Sequence, residues 1–447
     1  MEILIVGTGI AVLLVLILRL RLPAFMALLI VSAGVGLALG MPPSSLLASI
    51  TSGMGNTLGF IAVVVGLGTM LGALLEFSGG VRAIAGSLLA RGGEARAGWA
   101  LAGTGLLVGV AVFFDVAFVI LVPLIRPLCA SSGRHPMYFA TPLMAGLIVG
   151  HAFIPPTPGP IAVAELLEAD LGWVIVMGLA CGIPAAIVAG PVLANRYRSL
   201  PPLAPTALSA AEEQSARDSD AEQQISIRLG EALFAILLPL ALIVGNTVGQ
   251  RVLPEGALRT TLEFVGHPFI ALLLACLYAY IAFGVSRRVP VKRLQEIMTR
   301  SLEPAGVVVL VTGAGGVFKQ VLVDSGVGDL LGSYFSQQAI PPILLAFALS
   351  SLIRIAQGSA TVAMITAAGL TAPLLQHLML SPAQTALVVI AIAAGASVVS
   401  HVNDSGFWLV NRFLNQTEAE TLKSWTVIST VAGVTGFLMA SLIAAIL

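Results

Sequence analysis

The sequence predicts an all-α polytopic membrane protein built as an inverted repeat of two halves, each with about five transmembrane helices plus a re-entrant hairpin with broken helices. Three observations carry that prediction. Hydrophobic residues make up 57% of the 447 and charged residues only 10%, with a mean hydropathy of +1.00. Soluble proteins carry about 25% charge, so this chain cannot clothe a surface that faces water. The apolar residues also come in runs of the roughly 20 that a hydrocarbon layer about 30 Å thick requires. Finally, a small-residue pattern recurs in the two halves at matched spacing. The composition excludes an ordinary soluble enzyme and a disordered chain. The 22 basic and 22 acidic residues balance, which leaves no basic field for nucleic acid. Cys129, Cys181 and Cys276 sit in apolar stretches without ligand spacing, so neither a disulfide nor a metal site is expected.

The first apolar run, 3–18, is followed rather than preceded by basic residues (Arg19 and Arg21), so it reads as a first helix and not as a cleaved signal. Further runs lie near 22–40, 57–77, 137–155 and 172–193, then near 229–249, 266–285, 302–323, 383–402 and 425–446. Two runs, 97–130 and 340–375, are too long for one crossing. Each is interrupted by polar or bulky residues, Phe113-Phe114-Asp115 in one and Gln357-Gly358-Ser359 in the other. Cytoplasmic loops collect Lys and Arg. With Arg19 and Arg21 inside, alternation also brings Arg82, Arg91, Arg96, Arg126, Arg134, Arg287, Arg288 and Lys292 inside. The first long run then enters from the cytoplasm and returns to it, and ten spans plus two hairpins leave both termini outside. A polar stretch with Pro201-Pro202 and several acids joins the halves. The expected division is 1–196 for the first repeat, 197–227 for a cytoplasmic linker and 228–447 for the second repeat.

The repeat rests on two pairs of segments. Gly66-Leu67-Gly68-Thr69 followed by Ser78-Gly79 recurs as Gly313-Ala314-Gly315-Gly316 followed by Ser325-Gly326. His401 follows His151 by 250 residues and Gly313 follows Gly66 by 247. An odd number of crossings per half turns the second half upside down. Inverted repeats with helices broken at the midplane are the architecture of secondary transporters.

Within that frame a few residues are chemically conspicuous. Asp115 interrupts an apolar run, and an intramembrane carboxylate marks a polar cavity, a proton site or a structural ion pair. Gln357-Gly358-Ser359-Ala360-Thr361 is the second hairpin tip. Glycine lets backbone approach a ligand, hydroxyls donate, and the helix beyond presents free N–H groups to an anion; the plainer reading is small-residue packing. Arg354, three residues before that tip, needs an anion, either a substrate carboxylate held two-pronged or else Asp115, Asp404 or a lipid phosphate. His401-Val402-Asn403-Asp404-Ser405-Gly406 combines a titratable ring, an amide, an acid and a hydroxyl, as an unwound helix at a site or as a helix cap. Its counterpart, His151-Ala152-Phe153-Ile154-Pro155-Pro156-Thr157-Pro158-Gly159-Pro160, cannot continue a helix. It is a broken helix at the site or an exterior loop.

These segments resemble the gluconate permease (GntP) family of bacterial inner-membrane symporters, of the ion transporter superfamily type. The resemblance is carried by the stretch Gly55 to Gly72, by Phe113-Phe114-Asp115-Val116-Ala117-Phe118-Val119, by Arg354 to Ala363, and by His401 to Val410. It implies proton-coupled uptake of gluconate or a related small hydroxy or sugar acid across the inner membrane, with D-serine or a short hydroxy-carboxylate as alternative substrates and sodium as an alternative coupling ion. The family often has Glu at the place of Asp115 and His-Pro at the place of Thr157-Pro158.

The expected substrate ligands are Asp115, Thr157, Arg354, Gln357, Gly358, Ser359, Thr361, Asn403 and Ser405. Candidates for the coupled proton are Asp115, His151, His401 and Asp404. The partners called for are a small organic anion, a proton and the lipid bilayer, with a second copy of the chain as a candidate in a homodimer. Nucleic acid, a metal, a cofactor and enzymatic chemistry are not expected.

Overall fold

The computed structural model describes residues 1–92, 96–198, 200, 227–327, 341–375 and 378–447. Among them every regular element is helical. The first half holds α1 (Glu2–Leu18), α2 (Ala24–Ala38), α3 (Pro43–Phe77), α4 (Gly80–Gly92), α5 (Ala97–Gly109), α6 (Phe114–Leu121), α7 (Ile125–Ser132), α8 (Pro136–Phe153), α9 (Pro158–Leu166) and α10 (Leu171–Ile187). The second holds α11 (Leu229–Val252), α12 (Ala257–Val265), α13 (Pro268–Ala279), α14 (Val291–Arg300), α15 (Leu302–Asp324), α16 (Pro342–Gln357), α17 (Ala360–Leu375), α18 (Pro382–Ser397), α19 (Ser405–Phe413) and α20 (Glu418–Ile446). Among the described residues eight helices, some counted across a short break, are long and apolar enough to cross a membrane. The protein is a multi-pass membrane protein. Almost all of the expected linker, 197–227, lies outside the described residues.

The helices depart from the apolar runs in instructive places. α3 begins at Pro43, well before the apolar run at 57–77. Its first turns carry Ser45, Ser49, Thr51 and Ser52, which lower hydropathy. The Ser49 and Thr51 hydroxyls lie 3.0 and 2.9 Å from the carbonyls four residues back, and Ser49 also reaches Asp324 Oδ2 at 2.6 Å, which ties the start of α3 to the end of α15. α1 and α2 are shorter than the roughly 20 residues of a full span. α4, α12 and α14 were not anticipated as helices, because their apolar residues are too few to form a run.

Contacts between helices fix their directions. Gly105 of α5 lies against Leu143 and Leu147 of α8, and Gly109 against Leu147 and His151. Gly146 and Gly150 face back onto α5. Contacts advance together along both chains, so α5 and α8 run parallel with touching backbones, and the segment between them must return to the side it came from. α16 and α18 also touch through small residues: the Ser350 hydroxyl donates to the Ile392 carbonyl at 2.7 Å, and Gly395 sits on Phe347, Ser350 and Ser351. Without water to drive association, such small-residue seams supply the dispersion contact that holds membrane helices together. α3 and α15 cross the other way: Gly53 meets Gly316 and Gln320, whereas Leu58 meets Gly313. Ion pairing and capping add ties across the chain. The Lys319 ammonium meets the Glu168 carboxylate at 2.6 Å. Asp170 caps α10 through the Trp173 N–H at 2.9 Å and accepts from the Thr247 hydroxyl at 2.8 Å.

Candidate functional site: four helix breaks

Four helices stop and restart inside the fold, and each restart is the N-terminus of a short helix. The breaks lie at 110–113 before α6, 154–157 before α9, 358–359 before α17 and 398–404 before α19. Contacts join them into a closed ring. The Ser405 hydroxyl donates to Asp115 Oδ2 at 2.9 Å, joining the first break to the fourth, and the Phe114 ring lies 4.8 Å from that of Trp425 on α20. Asn403 Nδ2 donates to the Ile355 carbonyl at 2.9 Å, and His401 Nε2 lies 2.7 Å from the same oxygen, joining the fourth to the third. Gly159 faces Thr361 and Met364, joining the third to the second. The Phe113 and His151 rings lie 5.6 Å apart, joining the second to the first.

The third break depends on one residue. Gly358 has φ +83° and ends α16 with its N–H on the Arg354 carbonyl at 3.0 Å. A Cβ there would run into the Asn403 backbone. Both the left-handed conformation and the close approach require glycine. Ser359 is exposed and Thr361 half-buried, at the head of a helix whose first N–H groups lack intrahelical acceptors.

The fourth break is held from outside itself. Val399 sits at φ +48°, a costly conformation for a β-branched residue. Its N–H goes to the Thr430 hydroxyl at 3.0 Å, the Ser400 N–H to the Ser429 hydroxyl at 3.3 Å, and the Thr426 hydroxyl donates to the Ser400 carbonyl at 2.5 Å. Three side chains of α20 thus satisfy backbone that lipid could not. Asp404 caps α19 through the Gly406 N–H and accepts from the Ser400 hydroxyl, which in turn accepts from Trp425 Nε1 at 2.6 Å.

Arg354 is 2% exposed. Its Nη2 donates to Asp404 Oδ2 at 2.5 Å, so the internal-acid reading of this arginine is realised. That contact uses one nitrogen. Nε and Nη1 are buried without a hydrogen-bond partner, and so is Gln357 Oε1 one turn on. A guanidinium with spare donors has the chemistry to hold a further anion.

The second break is closed. The Thr157 hydroxyl lies 2.8 Å from the His151 carbonyl and 2.9 Å from that of Ile154, and Thr157 is 4% exposed. It seals the end of α8. His151 is half-buried, its Nδ1 without a partner. The structure therefore gathers Asp115, Arg354, Gln357, Gly358, Asn403, Asp404, His401 and Ser405 around the third and fourth breaks. Thr157 and His151 belong to the second break, which adjoins the first through Phe113 and the third through Gly159.

Beside the first break lies a cavity of about 330 Å³, lined by Thr69 and Glu76 of α3, by Ala111 to Phe113, and by Arg293 and Arg300 of α14. Neither this cavity nor the part played by α20 was anticipated. Ser and Thr repeating at Thr426, Ser429 and Thr430 on one helix face was the available signal for the latter.

Broken helices meeting at a buried, half-satisfied cation inside a multi-pass helical protein define a membrane carrier of small solutes. The chain belongs to the GntP permease family, whose model matches residues 1–446. Among curated relatives it is 42% identical over 433 residues to the low-affinity gluconate transporter of Escherichia coli K12, covering 96% of this chain and 95% of the relative. It is 39% identical over 445 residues to the Gnt-II system L-idonate transporter of the same strain, covering 98% of each. It is 38% identical over 439 residues to the gluconate permease of Pseudomonas aeruginosa, covering 97% and 96%. The crystal structure of the Alcanivorax borkumensis YdaH transporter aligns with a TM-score of 0.63 at 20% identity over 91% of this chain and 89% of that one, a likeness of fold.

Proposed function

We propose that the protein takes up gluconate or a closely related sugar acid together with a proton across the bacterial inner membrane. The observation that supports this most directly is Arg354, a buried cation with two donor nitrogens to spare at the meeting point of the breaks. A substrate carboxylate takes those donors, assisted by the N–H groups at the head of α17. Gln357, Ser359, Thr361, Asn403 and Ser405 are placed to read hydroxyls. Asp115, Asp404, His401 and His151 are the candidates for the proton. The cavity beside the first break exceeds the lower bound of about 300 Å³ for small-molecule sites and offers a solute an approach flanked by Arg293 and Arg300.

The two halves, 1–196 and 228–447, act as inverted copies about the 197–227 linker, with both termini in the periplasm. The antiparallel crossing of α3 and α15 and the matching order of breaks support this arrangement. The test is uptake of labelled gluconate into proteoliposomes. Accumulation driven by an imposed pH gradient and not by a sodium gradient is the expected result. Accumulation driven only by sodium replaces the proton with sodium, and no uptake of any sugar acid removes the substrate class.

A further inference from the structure

The Arg354–Asp404 pair bears on how substrate and proton are linked, an inference that rests on the carboxylate reading above. Asp404 Oδ2 holds Nη2 of Arg354. Both two-pronged edges of a guanidinium include Nη2, one with Nε and one with Nη1. Nη2 carries one N–H on each edge, so a carboxylate that binds through either free nitrogen and a second prong shares that nitrogen with Asp404. Two carboxylates then share one positive charge in a site shielded from water. One of them loses its ionic partner, and an uncompensated carboxylate at that depth is costly.

We propose that the incoming substrate competes with Asp404 for Arg354, and that the proton that travels with the substrate is the one Asp404 binds when it loses that partner. The proton comes from water and adds to a carboxylate oxygen; no other bond changes. The surroundings favour Asp404 over its neighbours. Arg354 faces it from α16. Asp115 faces it from α6, but Asp115 is held by the Ser405 hydroxyl and not by Arg354. His401, on the same loop, is engaged by the Ile355 carbonyl. From α20 comes Trp425, which does not titrate and which holds the Ser400 hydroxyl. That hydroxyl now donates to Asp404 and can rotate to accept from it once it is protonated. Substrate binding thus changes the charge environment of Asp404 first. The empty site keeps its internal ion pair, and the loaded site gains an anion and a proton together.

The test is calorimetric titration of gluconate into the purified full-length protein in buffers of different ionisation heat, with difference infrared spectra of the same complex. Wild type should take up about one proton per gluconate bound and develop a protonated-carboxyl band. Asp404→Asn should bind gluconate with no proton uptake and no such band. Asp404→Glu, which preserves the ion pair should the asparagine variant fail to fold, should take up a proton and move the band. Proton-free binding by wild type, uptake retained in Asp404→Asn, or a band unmoved in Asp404→Glu overturns the competition while leaving the carboxylate site standing. Wild type that binds no sugar acid removes the site itself, and the competition with it.

Discussion

The break between α8 and α9 and the break between α18 and α19 hold the same place in the order of elements, yet they solve the same problem in opposite ways. Both interrupt a helix where lipid or protein surrounds the chain, and both must satisfy the freed carbonyls and N–H groups. The first does so internally. Prolines at 155, 156, 158 and 160 remove donors that would need partners, and the Thr157 hydroxyl closes on the end of α8. The second lacks prolines and borrows hydroxyls from α20 for its backbone. Its side chains are thereby released, and they make the ionic and polar contacts to Arg354, Ile355 and Asp115. A break that satisfies itself closes on its own chain, and one satisfied by a neighbour frees its side chains for other contacts.

The strongest way to sharpen this comparison is Arg354→Ala. It strands Asp404 without its cation, a loss of roughly 3–5 kcal/mol for a buried pair with one partner removed. Gluconate uptake in proteoliposomes should fall to background and the yield of folded protein should drop. Arg354→Lys keeps the charge but not the fork, and should raise the gluconate KM by about ten-fold or more.

Gly358→Ala comes next. The left-handed backbone costs about 1–3 kcal/mol for a residue with a side chain, and the methyl collides with the Asn403 backbone. Transport should fall at least about ten-fold, read against the amount of protein in the vesicles. Ser429→Ala together with Thr430→Val withdraws two of the hydroxyls lent by α20, each about 1 kcal/mol. The melting temperature should fall, and amide exchange at 399 and 400 should quicken.

Thr157→Val is the smallest change expected. It removes one hydrogen bond at about 1 kcal/mol and should leave gluconate KM within about two-fold of wild type. A ten-fold rise in KM at unchanged stability would break the comparison and return Thr157 to the substrate site.

Much of this site was legible in the sequence because lipid makes polar residues conspicuous. Asp115 between phenylalanines and valines, and Gln357-Gly358-Ser359 inside an apolar run, each mark a place where a helix stops. Arg354 was legible as a cation in need of an anion, and Asp404, one of the two internal acids named for it, pairs with it. What stayed hidden are interactions between distant elements. Hydropathy does not show that α20 turns Thr426, Ser429 and Thr430 toward the fourth break, because hydroxyls in an apolar span more often bond their own helix. α14 escaped because Arg293 and Arg300 suppress hydropathy on a helix that lines the cavity. Thr157 looked equivalent to Ser405 by position alone; its burial and its two carbonyl neighbours are tertiary facts.

The glycine seam between α5 and α8 has a mechanical consequence. Where Gly105, Gly109, Gly146 and Gly150 bring two backbones into contact, neither rod can slide along the other without lifting out of its groove. The first break hangs from the end of one rod and the second from the end of the other. Any alternation of the carrier must therefore move these two elbows as a single lever, and the shear that opens one face of the membrane to the other has to fall elsewhere in the fold.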